Sequence, residues 1–282
     1  MPTQPNVLPQ IRLGRYSVTR LILGSNPFNG YGHFNQILAS HMLEWFTPEN
    51  SSKTLRLAEQ NGINTWQFSN TPRGLKDLER YQDEGGRLQW LILANRDDIE
   101  NTAASLPALA RKGPIGILHH GSVTDDRWRR GEKSKIREFV ARVRDTGVLA
   151  GISTHNPEVI ETAEQENWGT DFYMACVYNA GRTPAEVEKL LGRKPPLPPR
   201  DLYFPDDPPH MFKTIRQTSK TCLAFKILAA GRLTDSTEQV DQAFQVAFAS
   251  IKPQDAVIVG MYPRFQDQVR ENADRVRRLL GR

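Results

Sequence analysis

Eight short apolar segments, separated by helix-like stretches, constrain this chain more than any other feature. They cover residues 20–24, 63–68, 88–94, 115–118, 149–153, 172–177, 222–227 and 256–260. None alternates between apolar and polar residues, which is the pattern of strands buried on both faces, as parallel strands are. Parallel neighbours need crossover connections, and helices between strands supply them with a right-handed sense. Eight such units predict closure into a (β/α)8 TIM barrel, with a doubly wound open sheet as the alternative. A barrel of this kind takes about 250 residues, so the 282 residues are expected to form a single domain over 1–282.

Local signals support the helices. Thr47-Pro48, Asn156-Pro157 and Thr183-Pro184 each place a capping side chain before a proline suited to the first helical position. Ser236 and Gln239 have capping-box spacing. The segment 11–18 reads as an N-terminal β-hairpin outside the main alternation. The segment 193–209 holds seven prolines, Pro195, Pro196, Pro198, Pro199, Pro205, Pro208 and Pro209. That density predicts a long loop and a candidate lid between the sixth and seventh barrel strands.

Charge and cysteine usage narrow the function classes. The net charge of +5 comes partly from a C-terminal group of arginines that includes Arg264, Arg270 and Arg275. No finger motif, aromatic-rich sheet motif or basic tail accompanies them, so nucleic acid is not an expected partner. No run approaches the ~20 apolar residues that span a bilayer, so no membrane association is expected. The two cysteines, Cys176 and Cys222, form no CxxC pair. With no secretory leader in view, a cytoplasmic protein acting on a small-molecule substrate is expected.

In a TIM barrel the working groups lie at the C-terminal ends of the strands. Residues at those exits include Asn26 and His33 after the first strand, Gln67 on the second and Asn95 after the third. They continue with His119 and His120, His155, then Tyr178 and Asn179, and Lys226 on the seventh. Imidazoles from adjacent strands can converge, and near an unperturbed pKa of ~6.5 they serve as acid, base or metal ligand. His119, His120, His155 and Lys226 are therefore the expected catalytic groups. A lysine interrupting an apolar strand is costly unless it reaches a polar mouth or is put to use. A divalent metal, if bound, would draw on His33, His119, His155 and Cys176, although no local ligand motif is present. Within its apolar run Cys176 is otherwise expected to be an inert buried thiol. Gly260, followed by a helical segment and by Arg264, suits an anion at a helix N-terminus.

These residues carry a resemblance. The opening from Ile11 to Gly24, the run Asn61-Gly62-Ile63-Asn64-Thr65 and the run from Gly151 to Val159 resemble aldo-keto reductases in order. So do the run from Lys226 to Leu233 and the C-terminal end from Val257 through Arg264, Gln268, Glu271 and Asn272. The resemblance implies a TIM barrel floored by a hairpin. It also implies NADP(H) across the mouth, with Gly260, Arg264, Gln268 and Asn272 as cofactor-binding residues. The family's catalytic set is an aspartate, a tyrosine, a lysine and a histidine. Here Gln67 stands at the aspartate position, Pro72 at the tyrosine position, and Asn95 or Arg96 at the lysine position. Only the histidine position matches, at His119 or His120.

Three functions are compatible with this pattern. The first is an aldo-keto-reductase-like enzyme for a small carbonyl or sugar-like substrate with a relocated acid. The second is a non-redox hydrolase, lyase or isomerase, with or without a metal, that uses the histidines of the mouth. The third is a catalytically inactive binding protein on the same fold.

Overall fold

The computed structural model describes residues 7–194 and 201–281. Two strands, β1 (Gln10–Leu13) and β2 (Tyr16–Thr19), pair antiparallel, with Leu13 opposite Tyr16. The tight turn between them uses Gly14 at φ 59°, a region open to glycine without penalty. A side chain at Gly14 would collide with Leu149, so the hairpin plugs the N-terminal end of the sheet above it.

That sheet is a closed parallel barrel. It consists of β3 (Leu21–Gly24), β4 (Thr65–Ser69), β5 (Gln89–Ala94), β6 (Gly116–His119), β7 (Leu149–Thr154), β8 (Phe172–Cys176), β9 (Thr221–Phe225) and β10 (Ala256–Gly260). The strands follow chain order around the ring, and β10 pairs back onto β3. The chain is thus a (β/α)8 TIM barrel with an N-terminal two-stranded antiparallel sheet.

Strand parity decides which side chains enter the lumen. Leu91 pairs with Gly116, Leu118 with Gly151, and Gly151 with Phe172, so these residues share the inner face. The glycines make room for the ring. A Cβ on Gly151 would stand 2.7 Å from Phe172 Cζ, and one on Gly116 would stand 2.9 Å from it. Such pairing of large with small residues fills a lumen at native density. By the same parity Ser153, Met174, Cys176, Leu223 and Phe225 point inward, whereas Ile117, His119 and Ile152 point outward.

The helices start where capping chemistry allows. Thr47, Asn156 and Ser236 each accept a backbone N–H of the first turn, and Thr183 with Glu186 forms a capping box. The expected proline-rich loop is shorter at its C-terminal end than the sequence suggests. Pro195, Pro196, Pro198 and Pro199 lie outside the described residues. Pro208 and Pro209 fall in the first turn of the helix Asp207–Gln217, where the missing N–H costs no hydrogen bond. No helix of the described residues is long and apolar enough to cross a membrane.

Candidate active site

The barrel mouth is assembled from the exits of β6 to β9 and the segments that fold over them. Its centre is a buried carboxylate that was not singled out from the sequence. Asp125, on the helix Gly121–Arg129, is 4 % exposed. Its Oδ2 meets His155 Nδ1 at 2.7 Å. Its Oδ1 accepts from the Thr154 hydroxyl at 2.6 Å and from the His155 backbone N–H at 3.2 Å. Gly181 lies against this pair; a Cβ there would come within 3.0 Å of Asp125 Oδ2. The carboxylate therefore fixes both the ring and the backbone of His155.

The other edge of the ring meets Cys176. The β7–β8 register runs Ser153 opposite Met174 and Thr154 opposite Ala175, so the next step sets His155 beside Cys176. The imidazole packs edge-on at 5.7 Å against Phe225, the residue that pairs with Cys176 across β8 and β9. Burial opposes a charge on His155, but Cys176 and the hydrogen-bonded Asp125 outweigh it and push the imidazole up to about 9. His120 is set the other way. Burial and the neighbouring His155 push it down to about 4. Its Nδ1 accepts the Ser122 N–H at 3.3 Å, which places the proton of the neutral ring on Nε2. The mouth thus holds one charged and one neutral imidazole, both bearing an N–H.

His119 does not join them. Its side chain faces outward, under the helices, where the ring packs edge-on against Phe139 at 4.9 Å. Nδ1 lies 2.7 Å from the Thr124 hydroxyl, which itself donates to the His120 carbonyl. Arg127 faces Nε2 at 3.5 Å and is paired with Glu100. Burial and the Arg127 charge push His119 down to about 3. A folded-state value below the unfolded ~6.5 favours the neutral ring. That stability is present above pH 6.5 and is lost as pH falls towards 3. Urea midpoints of the wild type are therefore expected to drop between pH 7 and 4.5, and His119→Gln to flatten part of that drop. Equal slopes for the two proteins would show that the ring is not held neutral.

The opposite rim is built by His33, Asp201, Tyr203, Lys226 and Arg232. His33 Nδ1 is bonded to the Asp201 carboxylate, and its Nε2 lies 3.3 Å from Asn26 Nδ2. The hydrogen bond from His33, together with the charge of Lys226, holds Asp201 below the usual carboxylate range despite partial burial. Arg232 donates to the backbone carbonyls of His33 and Asp201 and lies 4.2 Å over the Tyr203 ring. Parity alone would turn Lys226 outward, because Phe225 points in. Instead, Lys226 adopts a left-handed φ of 61°, unusual for a side-chain-bearing residue. Its Nζ stands 5.8 Å from the Tyr203 ring. Tyr203 also meets Tyr178 edge-on at 5.1 Å. The segment entering the helix Asp207–Gln217 therefore folds across the mouth, and two open clefts of about 430 and 550 Å³ lie elsewhere on the surface.

Of the remaining candidates, Gln67 points into the lumen with 4 % exposure, and its Nε2 has no hydrogen-bond partner among the described residues. Asn95 is committed to structure: it forms a capping box with Asp98 and donates to the Asn70 carbonyl at 3.0 Å. Asn179 donates its N–H to Asp207, which also holds Arg182.

The residues proposed for a nucleotide fit it only in part. Arg264 stacks on Phe265 at 5.3 Å and has no carboxylate within ion-pair distance among the described residues. Gln268 instead uses its side-chain oxygen to accept the Tyr262 N–H at 2.8 Å. Asn272 is buried and accepts from Arg275 at 2.9 Å. A Cβ on Gly260 would press on Pro27 at 2.8 Å, so this glycine serves close packing. With His119 turned outward, the four residues considered for a metal do not converge. Among the described residues no group of three or more His, Cys, Asp or Glu side chains is placed to hold one.

No protein-family model and no curated protein matches this chain. Solved structures do. Aldo-keto reductase AKR11C1 from Bacillus halodurans superposes with a TM-score of 0.54 at 14% identity, covering 95% of this chain and 91% of that one. The glycerol dehydrogenase AKR11B4 from Gluconobacter oxydans gives 0.53 at 14% identity, covering 97% and 96%. A truncated 3-deoxy-D-arabino-heptulosonate 7-phosphate synthase from Thermotoga maritima gives 0.54 at 14% identity, covering 98% and 92%. A reductase and a synthase fit this chain equally well at such identities, so the likeness establishes the TIM-barrel fold and leaves the chemistry to be argued from the site.

Proposed function

We propose that this chain is a non-redox enzyme that activates the carbonyl oxygen of a small oxygenated, sugar-like substrate held in the barrel mouth. The observation that carries this reading is the buried Asp125–His155 pair beside the neutral His120. An imidazolium and a neighbouring imidazole N–H at the barrel mouth are suited to charge developing on oxygen, where preorganised donors are most effective. Asp125 positions the ring and sustains its charge. The separation of the two imidazoles' proton affinities, to about 9 and about 4, is the pattern by which sites divide acid–base roles. Lys226 and the unpartnered Gln67 amide would orient the substrate from the opposite walls.

The test follows solvent deuterium into the carbon next to the carbonyl of hydroxyaldehydes, ketoses and 2-oxo acids by proton NMR. Exchange is expected with the wild type for at least one class and is expected to be lost in His155→Gln. A second reading, NADP(H)-dependent reduction, is favoured by Arg264 alone, which meets no carboxylate among the described residues. Saturable NADPH binding at or below millimolar concentration, with carbonyl-dependent NADPH oxidation and no deuterium exchange, would replace the first reading with the second.

A further inference from the structure

We propose that Cys176 is a nucleophile that adds to the carbonyl carbon of the substrate, an inference that rests on the carbonyl-activating reading above. Sulfur, imidazole and carboxylate form a chain of nucleophile, proton carrier and orienter, which is the arrangement that activates a thiol. Asp125 holds Nδ1 at 2.7 Å, so Nε2 is the ring nitrogen left free to serve the sulfur. The register ends at Thr154 opposite Ala175, so the next residue of each chain segment, His155 just past β7 and Cys176 at the end of β8, falls on the inner face at the same level of the mouth. Tyr178, two residues on from Cys176, meets Tyr203 edge-on at 5.1 Å, so both rings stand on this side of the mouth.

The second cysteine provides an internal contrast. Cys222 is equally buried but lies on the outer face of β9, opposite Tyr173. Among the described residues no histidine is paired with it; burial pushes its thiol up, and its backbone N–H is bonded to Asp255. It is a packing residue, as an apolar strand cysteine ordinarily is.

The step balances without an outside oxidant or reductant. The Sγ–C bond forms as the carbonyl π pair moves to oxygen. That oxygen takes the proton held on His155 Nε2, and the thiol's own hydrogen is the one that restores the ring. The product is a hemithioacetal whose oxygen lies among the imidazole N–H groups. Its collapse breaks the Sγ–C and O–H bonds and returns the original carbonyl and the free thiol.

Two measurements on the intact protein test this. In the first, native protein is treated with iodoacetamide at pH 7 and the two cysteines are quantified by peptide mass spectrometry. Cys176 is expected to be modified about tenfold or more faster than Cys222, as a histidine-paired thiol should be. His155→Gln is expected to remove that difference, and Tyr203→Ala to raise the Cys176 rate by opening the pocket. In the second, glycolaldehyde labelled with carbon-13 at its carbonyl is expected to show a hemithioacetal resonance with the wild type and none with Cys176→Ser. The proposal is overturned if Cys176 is no more reactive than Cys222 in both the wild type and Tyr203→Ala. It is also overturned if His155→Gln leaves the rate unchanged, or if no hemithioacetal forms. An inert Cys176 in an enzyme that still exchanges deuterium sinks this proposal alone. A reactive Cys176 in a protein that activates no carbonyl of the panel sinks the functional reading.

Discussion

Replacing His155 with glutamine is expected to lower kcat/KM for the carbonyl substrate about 10²- to 10⁴-fold, the usual contribution of a positioned acid or base. The side chain is 14% exposed and bonded to Asp125, so the loss would fall on the chemical step and appear mainly in kcat. Glutamine keeps a polar N–H and roughly the same reach but carries no proton to donate. The pH profile separates this role from a packing role. Because Cys176 and Asp125 hold the ring charged up to about 9 against the opposing effect of burial, wild-type activity should be steady through neutrality and decline as pH rises through about 9. The residual activity of His155→Gln should lack that decline. A loss of less than a few-fold, or an unchanged alkaline limb in the variant, would remove His155 from the chemistry.

The fold was legible because its evidence is redundant. Eight apolar runs and four capped helix starts each point to the same architecture, and an error of a residue or two at any strand end changes nothing. The site was less legible because it depends on parity, where one residue matters. His119 and His120 are adjacent, yet a strand sends one outward to Phe139 and Thr124 and the next toward the mouth. A run without polar alternation carries no mark of which is which. Lys226 reaches the rim only through a left-handed backbone angle that its sequence context does not announce. Asp125 sits next to Asp126 on the helix Gly121–Arg129, and only the closed barrel shows that one of the two is buried against His155 and Thr154. The apolar neighbours of Cys176 mark an ordinary buried thiol, and nothing in them announces His155, 21 residues away just past the end of the adjoining strand. Gln268 and Asn272 are cofactor-binding positions by the resemblance alone, and in the structure the side-chain oxygen of each accepts a hydrogen bond from within the protein.

Asp125 is where fold and chemistry meet, and removing its charge has the largest expected effect on stability. Asp125→Ala strips the acceptor from the Thr154 hydroxyl, from the His155 backbone N–H and from the ring, leaving a buried imidazolium without its carboxylate. Breaking one side of a buried pair costs about 3–5 kcal/mol, several degrees or more in Tm for a chain of this size. Asp125→Asn keeps the shape and one acceptor, so it isolates the charge. The sign of the pH dependence follows from linkage. His155 has a folded-state value raised above its unfolded ~6.5, so the stabilisation it gains from charged partners is complete below pH 6.5 and is lost as pH rises through about 9. The urea midpoint of Asp125→Asn should therefore fall furthest below wild type near pH 6 and converge towards it above pH 9. A gap that stayed constant across that range would mean that Asp125 acts through shape and hydrogen bonding alone. The charge on His155, and with it the proton proposed for the carbonyl oxygen, would then need another source.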